Sequence, residues 1–438
     1  MANQKIVLIG AGSLQFGLSS VGNILESEDL LGSTIYLHDI DESALNLTFQ
    51  ACNDTIQHRN LDFNLEMSTD RKEVLKGATF IINSIEIPPR FELMDIDFRV
   101  PQYYGCKQIL GENGGPGGLF HSLRVIPPIL EICEDINKIC PKAFLINFSN
   151  PMTRICLAIH RKFPSLKFVG LCHEYIHFMP IISKILNTPL SNLEITAGGF
   201  NHFGVILDIK YKDTNIDAYP DIRKRGPGVL RSIKNGPALD NGFDLIAFIL
   251  ETYSYLPYTP DSHYGEYLGW AWEKANIHAV RQFMVDYENY LHEQYLRAKK
   301  YIEKGKAWKV VKPDEESAVP IIDGIVNDRN LREPSVNIPN DGIITNITQD
   351  AIVECPVIIN KDGVHGVTLG DFPPGLAAFL RTQYSIQDLV VEAILQKSKD
   401  LTLQALLADP VIESTWQAKK ILDEMLILQK DYIQIELE

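Results

Sequence analysis

Two short stretches pair a sulfur donor with an imidazole. Cys172-His173-Glu174 follows directly on the apolar run Lys167-Phe168-Val169-Gly170-Leu171, and Asn201-His202-Phe203 follows Ile195-Thr196-Ala197-Gly198-Gly199-Phe200. A thiol and an imidazole at two strand ends can share a divalent transition ion, because thiolate and neutral imidazole are good ligands for it. On spacing alone the commoner reading of the same residues is an inert buried cysteine and a satisfied core histidine. A third stretch, Asp261-Ser262-His263-Tyr264-Gly265-Glu266-Tyr267, gathers acid, imidazole and phenol groups behind Pro257 and Pro260. It is a candidate source of a general base, although Asp261 also fits the cap of an ordinary helix. Asn147-Phe148-Ser149-Asn150-Pro151 sets two amides at the end of Ala143-Phe144-Leu145-Ile146. Amides there suit a nicotinamide carboxamide or sugar hydroxyls, and Asn150 before Pro151 also suits a plain turn.

These groups need a scaffold that brings strand ends together, and the first forty residues supply one. Lys5-Ile6-Val7-Leu8-Ile9 is a strand-length apolar run, Gly10-Ala11-Gly12-Ser13 turns tightly, and a helix is expected from Ser13 to Leu25. Gly10, Gly12 and Ser13 can let a diphosphate approach the backbone at the positive end of that helix. Ile35-Tyr36-Leu37-His38-Asp39 is a second strand, and the Asp39 carboxylate at its end can hold an adenosine ribose, which favours NAD over NADP. Gln15 stands where the third small residue of this fingerprint is expected. Further apolar runs at 78–84, 143–147 and 167–171 continue a β-α-β pattern. This is an α/β chain with a doubly wound, Rossmann-type parallel sheet, whose ligands sit beyond the carboxyl ends of the strands. We expect the NAD-binding domain over residues 1–198. An α+β substrate and dimerisation domain, like that of lactate and malate dehydrogenases, is expected over 199–438, with helices at 241–252, 271–305, 385–407 and 414–430. The cluster Gly111-Glu112-Asn113-Gly114-Gly115-Pro116-Gly117-Gly118 reads as a loop pressed on a ligand, with Glu112 a candidate substrate contact and a helix following from Leu119.

The chain of 438 residues is 45% hydrophobic and 22% charged, as soluble globular proteins are. Its net charge of −15 argues against nucleic acid as a partner. No apolar run reaches membrane-spanning length, and Met1-Ala2-Asn3-Gln4 leads straight into a strand, which leaves no room for a signal peptide. Seven cysteines without paired spacing fit the reducing cytoplasm.

Taken together the motifs resemble glycoside hydrolase family 4. They are Gly10-Ala11-Gly12-Ser13, the Gly114–Gly118 cluster, Asn147-x-x-Asn150-Pro151, Gly170-x-Cys172-His173, Asn201-His202-Phe203, Val336-Asn337-Ile338-Pro339-Asn340-x-Gly342 and Val353-Glu354. The resemblance implies an NAD- and Mn2+-dependent glycosidase, with Cys172 and His202 as metal ligands and Gly10, Gly12, Ser13, Asp39 and Asn147 holding NAD. Asn150 and Glu112 would bind the sugar. Asp261 sits where some members have their base, with Tyr264 or Tyr267 as substitutes, and His173 is a further catalytic position where phospho-sugar members tend to have Asp. The implied chemistry oxidises sugar carbon 3 transiently, which acidifies the hydrogen on carbon 2. Elimination of the glycosidic oxygen, addition of water and return of the hydride complete it. Asn-Pro-Met and Cys-His-Glu look most like the branch that acts on unphosphorylated α-glycosides and α-uronides. A saccharide substrate and a homodimer or homotetramer follow from the same resemblance. The competing expectation is an NAD-dependent 2-hydroxyacid dehydrogenase, which would use Arg90, Arg99 or Arg124 to clamp a carboxylate.

Overall fold

The structure, a computed structural model, describes residues 3–14, 16–233, 242–315 and 317–437. Gln15, Asn241 and the leading Met1-Ala2 lie outside the described residues.

Six parallel strands open the chain: β1 (Lys5–Ile9), β2 (Thr34–His38), β3 (Asn64–Ser68), β4 (Phe80–Asn83), β5 (Phe144–Asn147) and β6 (Lys167–Gly170). Their spatial order is β3-β2-β1-β4-β5-β6. The alternation of side chains across a strand explains the layering. In β1, Ile6 and Leu8 enter one hydrophobic core and Val7 and Ile9 the other. A strand apolar on both faces needs helices on both faces, which is why these segments read as continuous runs. The order reverses between β1 and β4, so the crevice between their carboxyl ends is where a doubly wound sheet binds its ligand.

The second half adds β7 (Leu193–Phe200), β8 (Phe203–Tyr211), β9 (Ile216–Asp217), β10 (Leu331–Pro339), β11 (Ile352–Asn360) and β12 (Gly363–Gly366). All are antiparallel to their neighbours, and they extend the same sheet as β6-β10-β11-β7-β8-β9, with β12 beside β11. Asn337 opposite Gly170 joins the two parts. The expected division at 198/199 falls inside β7.

Two expectations are corrected. The glycine cluster is not a loop throughout: the helix Gly115–Ile139 begins inside it, with Pro116 in the first turn, where no N–H is needed. A Cβ at Gly118 would come 2.4 Å from the Asn113 carbonyl carbon, so close backbone contact accounts for that glycine. The long helix expected at 385–407 is two, Pro374–Gln396 and Lys399–Ala408. Lys397 takes a left-handed conformation and Ser398 caps the second helix through the Leu401 N–H.

Candidate active site

A cavity of about 930 Å3 opens at the carboxyl ends of the parallel strands. Gly10, Ser13 and Asp39 line one part of it, and Glu112, Asn150, Cys172 and His173 another. Gly10 turns the chain after β1 with φ +87°, a conformation that favours glycine. The Gly12 N–H donates to Asp39 Oδ2 at 2.7 Å, and a Cβ at Gly12 would sit equally close to that oxygen. The turn is therefore bare of side chains and has a carboxylate beside it, which fits a dinucleotide's diphosphate and ribose. Ser13 Oγ accepts the Phe16 N–H and caps the helix Phe16–Leu25.

At the other end, Cys172 Sγ lies 3.2 Å from His202 Nε2. His202 sits in the turn between β7 and β8 with φ +119°, and neighbouring elements hold that strained turn. Thr259 Oγ1 donates to the His202 carbonyl at 2.8 Å, Tyr267 Oη to the Asn201 carbonyl at 3.2 Å, and Asn201 Nδ2 to Glu354 Oε2 at 3.3 Å. The Asn113 amide lies 3.1 Å from His202 Nδ1, which leaves Nε2 facing the thiol. Burial, with His263 beside it, pushes the His202 pKa down to about 3, so the imidazole is neutral, the form that binds a metal.

His263 joins this group, at a place beside the metal pair that its position in the 261–267 run does not reveal. Ligand atoms of Glu112, His202 and His263 all lie within 4.8 Å of one another. Burial works against charge on His263, but Glu174, Glu266 and Glu112 carry its pKa up to about 9. The Glu112 carboxyl, despite its burial, is held below the usual range by His263 and Arg90. Glu266 pins the glycine loop from beneath, accepting the Asn113 and Gly114 N–H groups at 2.6 and 2.7 Å. A sulfur, the neutral His202 imidazole and the Glu112 carboxylate converging in this way are a donor set suited to a borderline transition ion, with the charged His263 beside them.

Four expected residues lie elsewhere. Asn147 is fully buried: its Oδ1 accepts from Asn83 at 2.8 Å and its Nδ2 donates to the Ser149 carbonyl, so the amide braces β4 against β5. Asp261 is also fully buried, and its carboxylate accepts the N–H groups of Leu245, Ile246 and Asn276. It caps the helix Asp244–Tyr253 from outside that helix, and burial lifts its pKa to about 7. Tyr264 packs in the core against Phe203, ring centroids 4.6 Å apart. Tyr267 stands behind the histidine turn. As for the dehydrogenase alternative, Arg90 pairs with Glu86 and Glu112, Arg99 with Asp95, and Arg124 with Asp97, so each cation already has a carboxylate.

Residues 5–188 match the family 4 glycosyl hydrolases, and residues 197–412 match the C-terminal domain of the same family. The chain belongs to glycosyl hydrolase family 4. Among family 4 relatives, an α-glucosidase of Erwinia rhapontici is 42% identical, over 98% of each chain. A 6-phospho-α-glucosidase from gut microorganisms, solved with NAD and Mn2+, superposes with a TM-score of 0.85 at 22% identity, over all of both chains. A malate dehydrogenase of Cryptosporidium parvum reaches a TM-score of only 0.52 at 15% identity, over 90% of this chain and all of its own. That likeness is one of fold, and family membership sets the dehydrogenase reading aside.

Proposed function

We infer that this family 4 enzyme hydrolyses an uncharged α-glucoside, with NAD in the Gly10–Asp39 cradle and Mn2+ between Cys172 and His202. The observation that carries this reading is one cavity containing both the dinucleotide cradle and a thiol 3.2 Å from an imidazole. Bound there, NAD supplies a hydride acceptor for sugar carbon 3 and the ion a Lewis acid at the neighbouring oxygens. The chain's own part is positioning and proton handling. Asn150 Oδ1 accepts the Met152 N–H, which steadies its amide at the cavity wall to bind sugar hydroxyls together with Glu112. His173, its Nε2 3.4 Å from Glu174, lines the cavity as the donor of a proton to the departing glycosidic oxygen. Asp261 is spent on backbone N–H groups and the Tyr267 hydroxyl on the Asn201 carbonyl, so neither stands free in the cavity to take the proton on carbon 2.

Charge supports a neutral substrate. The two arginines lining the cavity are already paired, Arg71 with Asp135 at 2.6 Å and Arg90 with Glu86 and Glu112. A uronate or 6-phosphate would take up buried or half-buried space without a committed cation, at a cost in desolvation. The 42% identical relative is named an α-glucosidase, which agrees. The seven cysteines form no disulfide among the described residues, which suits the cytoplasm. Val285, Tyr295 and Leu296, exposed on the helix Ile277–Glu303, offer a face for a second copy in a homodimer or homotetramer.

The test is a set of para-nitrophenyl α-glucoside, α-galactoside, α-galacturonide and α-glucoside 6-phosphate, assayed with NAD, Mn2+ and a thiol reductant. The α-glucoside is expected to turn over fastest, with solvent deuterium entering at carbon 2. Faster turnover of a charged sugar would overturn the substrate assignment, and product without label would overturn the chemistry.

A further inference from the structure

Asn113 ties the glycine loop to the metal pair. Its backbone is fixed first. A single oxygen of Glu266, Oε2, accepts the N–H groups of both Asn113 and Gly114, and Gly118 lies bare against the Asn113 carbonyl. The buried side chain therefore points from a set place. Its Nδ2 stands between two groups, 3.0 Å from Glu112 Oε2 and 3.1 Å from His202 Nδ1.

An amide nitrogen has two hydrogens and no acceptor site, so in this place it donates to both neighbours. A neutral imidazole has one N–H and one bare nitrogen. With Nδ1 accepting from Asn113, the ring hydrogen of His202 sits on Nε2, 3.2 Å from Cys172 Sγ. The two ligand residues are then hydrogen-bonded to each other. An ion between them needs the lone pair of Nε2, which moves the ring hydrogen to Nδ1. Nδ1–H would then face an amide nitrogen that cannot accept, and a buried donor without a partner is costly. A half-turn of the Asn113 carboxamide about its Cβ–Cγ bond removes the conflict, because it brings Oδ1 to the place of Nδ2. The same half-turn withdraws the N–H from Glu112, whose carboxylate keeps Arg90 at 3.6 Å and His263 at 3.9 Å.

We propose that Asn113 is a positioning residue for the metal pair, whose carboxamide turns over on ion binding so that Oδ1 holds His202 in the ligating tautomer. The proposal rests on the Mn2+ reading above and adds the residue that orients its imidazole. Two measurements test it, both with NAD present. The first follows 15N shifts of protein labelled at histidine, the His202 signals being those missing from His202→Gln. Without ion, the unaltered protein is expected to carry the hydrogen on Nε2, and Asn113→Asp, whose side chain only accepts, on Nδ1. The second titrates ion-free protein with Mn2+, reading the free ion by electron paramagnetic resonance. Asn113→Leu, which has similar bulk and no polar group, is expected to raise Kd about 10- to 100-fold. Asn113→Asp keeps the acceptor and is expected to bind within about threefold of the unaltered protein, or more tightly. Should Asn113→Leu fail to fold, the tautomers and the affinity of Asn113→Asp still decide. A hydrogen on Nδ1 in the ion-free unaltered protein, a hydrogen kept on Nε2 in Asn113→Asp, an unchanged Kd in folded Asn113→Leu, or a tenfold loss in Asn113→Asp would each overturn the role. Failure of the unaltered protein to bind Mn2+ would instead overturn the metal reading on which it rests.

Discussion

Cys172 Sγ and His202 Nε2 approach to 3.2 Å although thirty residues of chain separate them. Cys172 leaves the end of β6, and His202 sits in the turn after β7, on a part of the sheet that reaches β6 only through β10 and β11. The pair is therefore a product of sheet topology, and it joins the two halves of the chain at the cavity.

If this pair holds Mn2+, the ion should stabilise the folded protein, since ligands of this geometry are absent from the unfolded chain. At a hundred times its Kd the gain is about 2.7 kcal/mol. Thermal unfolding with and without Mn2+ should show a rise in Tm for the unaltered protein and none for Cys172→Ser or His202→Ala. A chelator should abolish turnover and restore the lower Tm.

Gly12→Ala should weaken NAD binding more than it weakens the fold. The added Cβ would lie 2.7 Å from Asp39 Oδ2 and displace the carboxylate from the turn it holds. Titration of the protein with NAD, followed by fluorescence, is expected to give a Kd raised about tenfold or more, the loss of one charge-assisted contact.

Asp261 should matter for stability and little for the chemical step. Removing its carboxylate leaves three backbone N–H groups short of a partner in a buried place. Asp261→Ala is expected to cost about 2–4 kcal/mol in denaturant unfolding. Asp261→Asn, which still accepts, should cost less and keep kcat within about tenfold, where loss of a general base would remove 10²–10⁴-fold.

The pH dependence of stability has a clear contributor away from the cavity. Burial alone lifts the Glu333 carboxyl, on β10, to about 7. Its folded pKa exceeds the unfolded value of about 4.3, so its contribution is fully present below about pH 4 and is lost as pH rises through 7. Glu333→Gln cannot ionise. Relative to the unaltered protein it is expected to gain on the order of 1–3 kcal/mol between pH 4 and pH 8, measured by urea unfolding at each pH.

Much of the fold was readable because it is written locally. An apolar run, two glycines, a helix and a terminal acid lie within Lys5–Asp39, and hydrogen bonding between neighbouring strands does the rest. The same holds for Cys172 and His202, each marked by a strand that stops at a ligand-type residue. Where two states of one residue share the same local sequence, local reading had no means to choose. Asp261 before Ser262-His263 suits a base and a cap alike, and the choice lay with Leu245, Ile246 and Asn276, far from it in sequence.

By itself, the amino-acid sequence determined the parallel sheet, the dinucleotide turn, the family and the two ends of the candidate metal pair, since each depends on patterns a few residues long. Only the tertiary structure decided that His263 and Glu112 stand beside His202, that Asn147 and Asp261 serve the scaffold, and that Tyr287 faces the cavity. Those outcomes depend on which distant groups share a buried space. There, an unpaired polar atom is costly enough to send one carboxylate to backbone N–H groups and leave another facing the cavity.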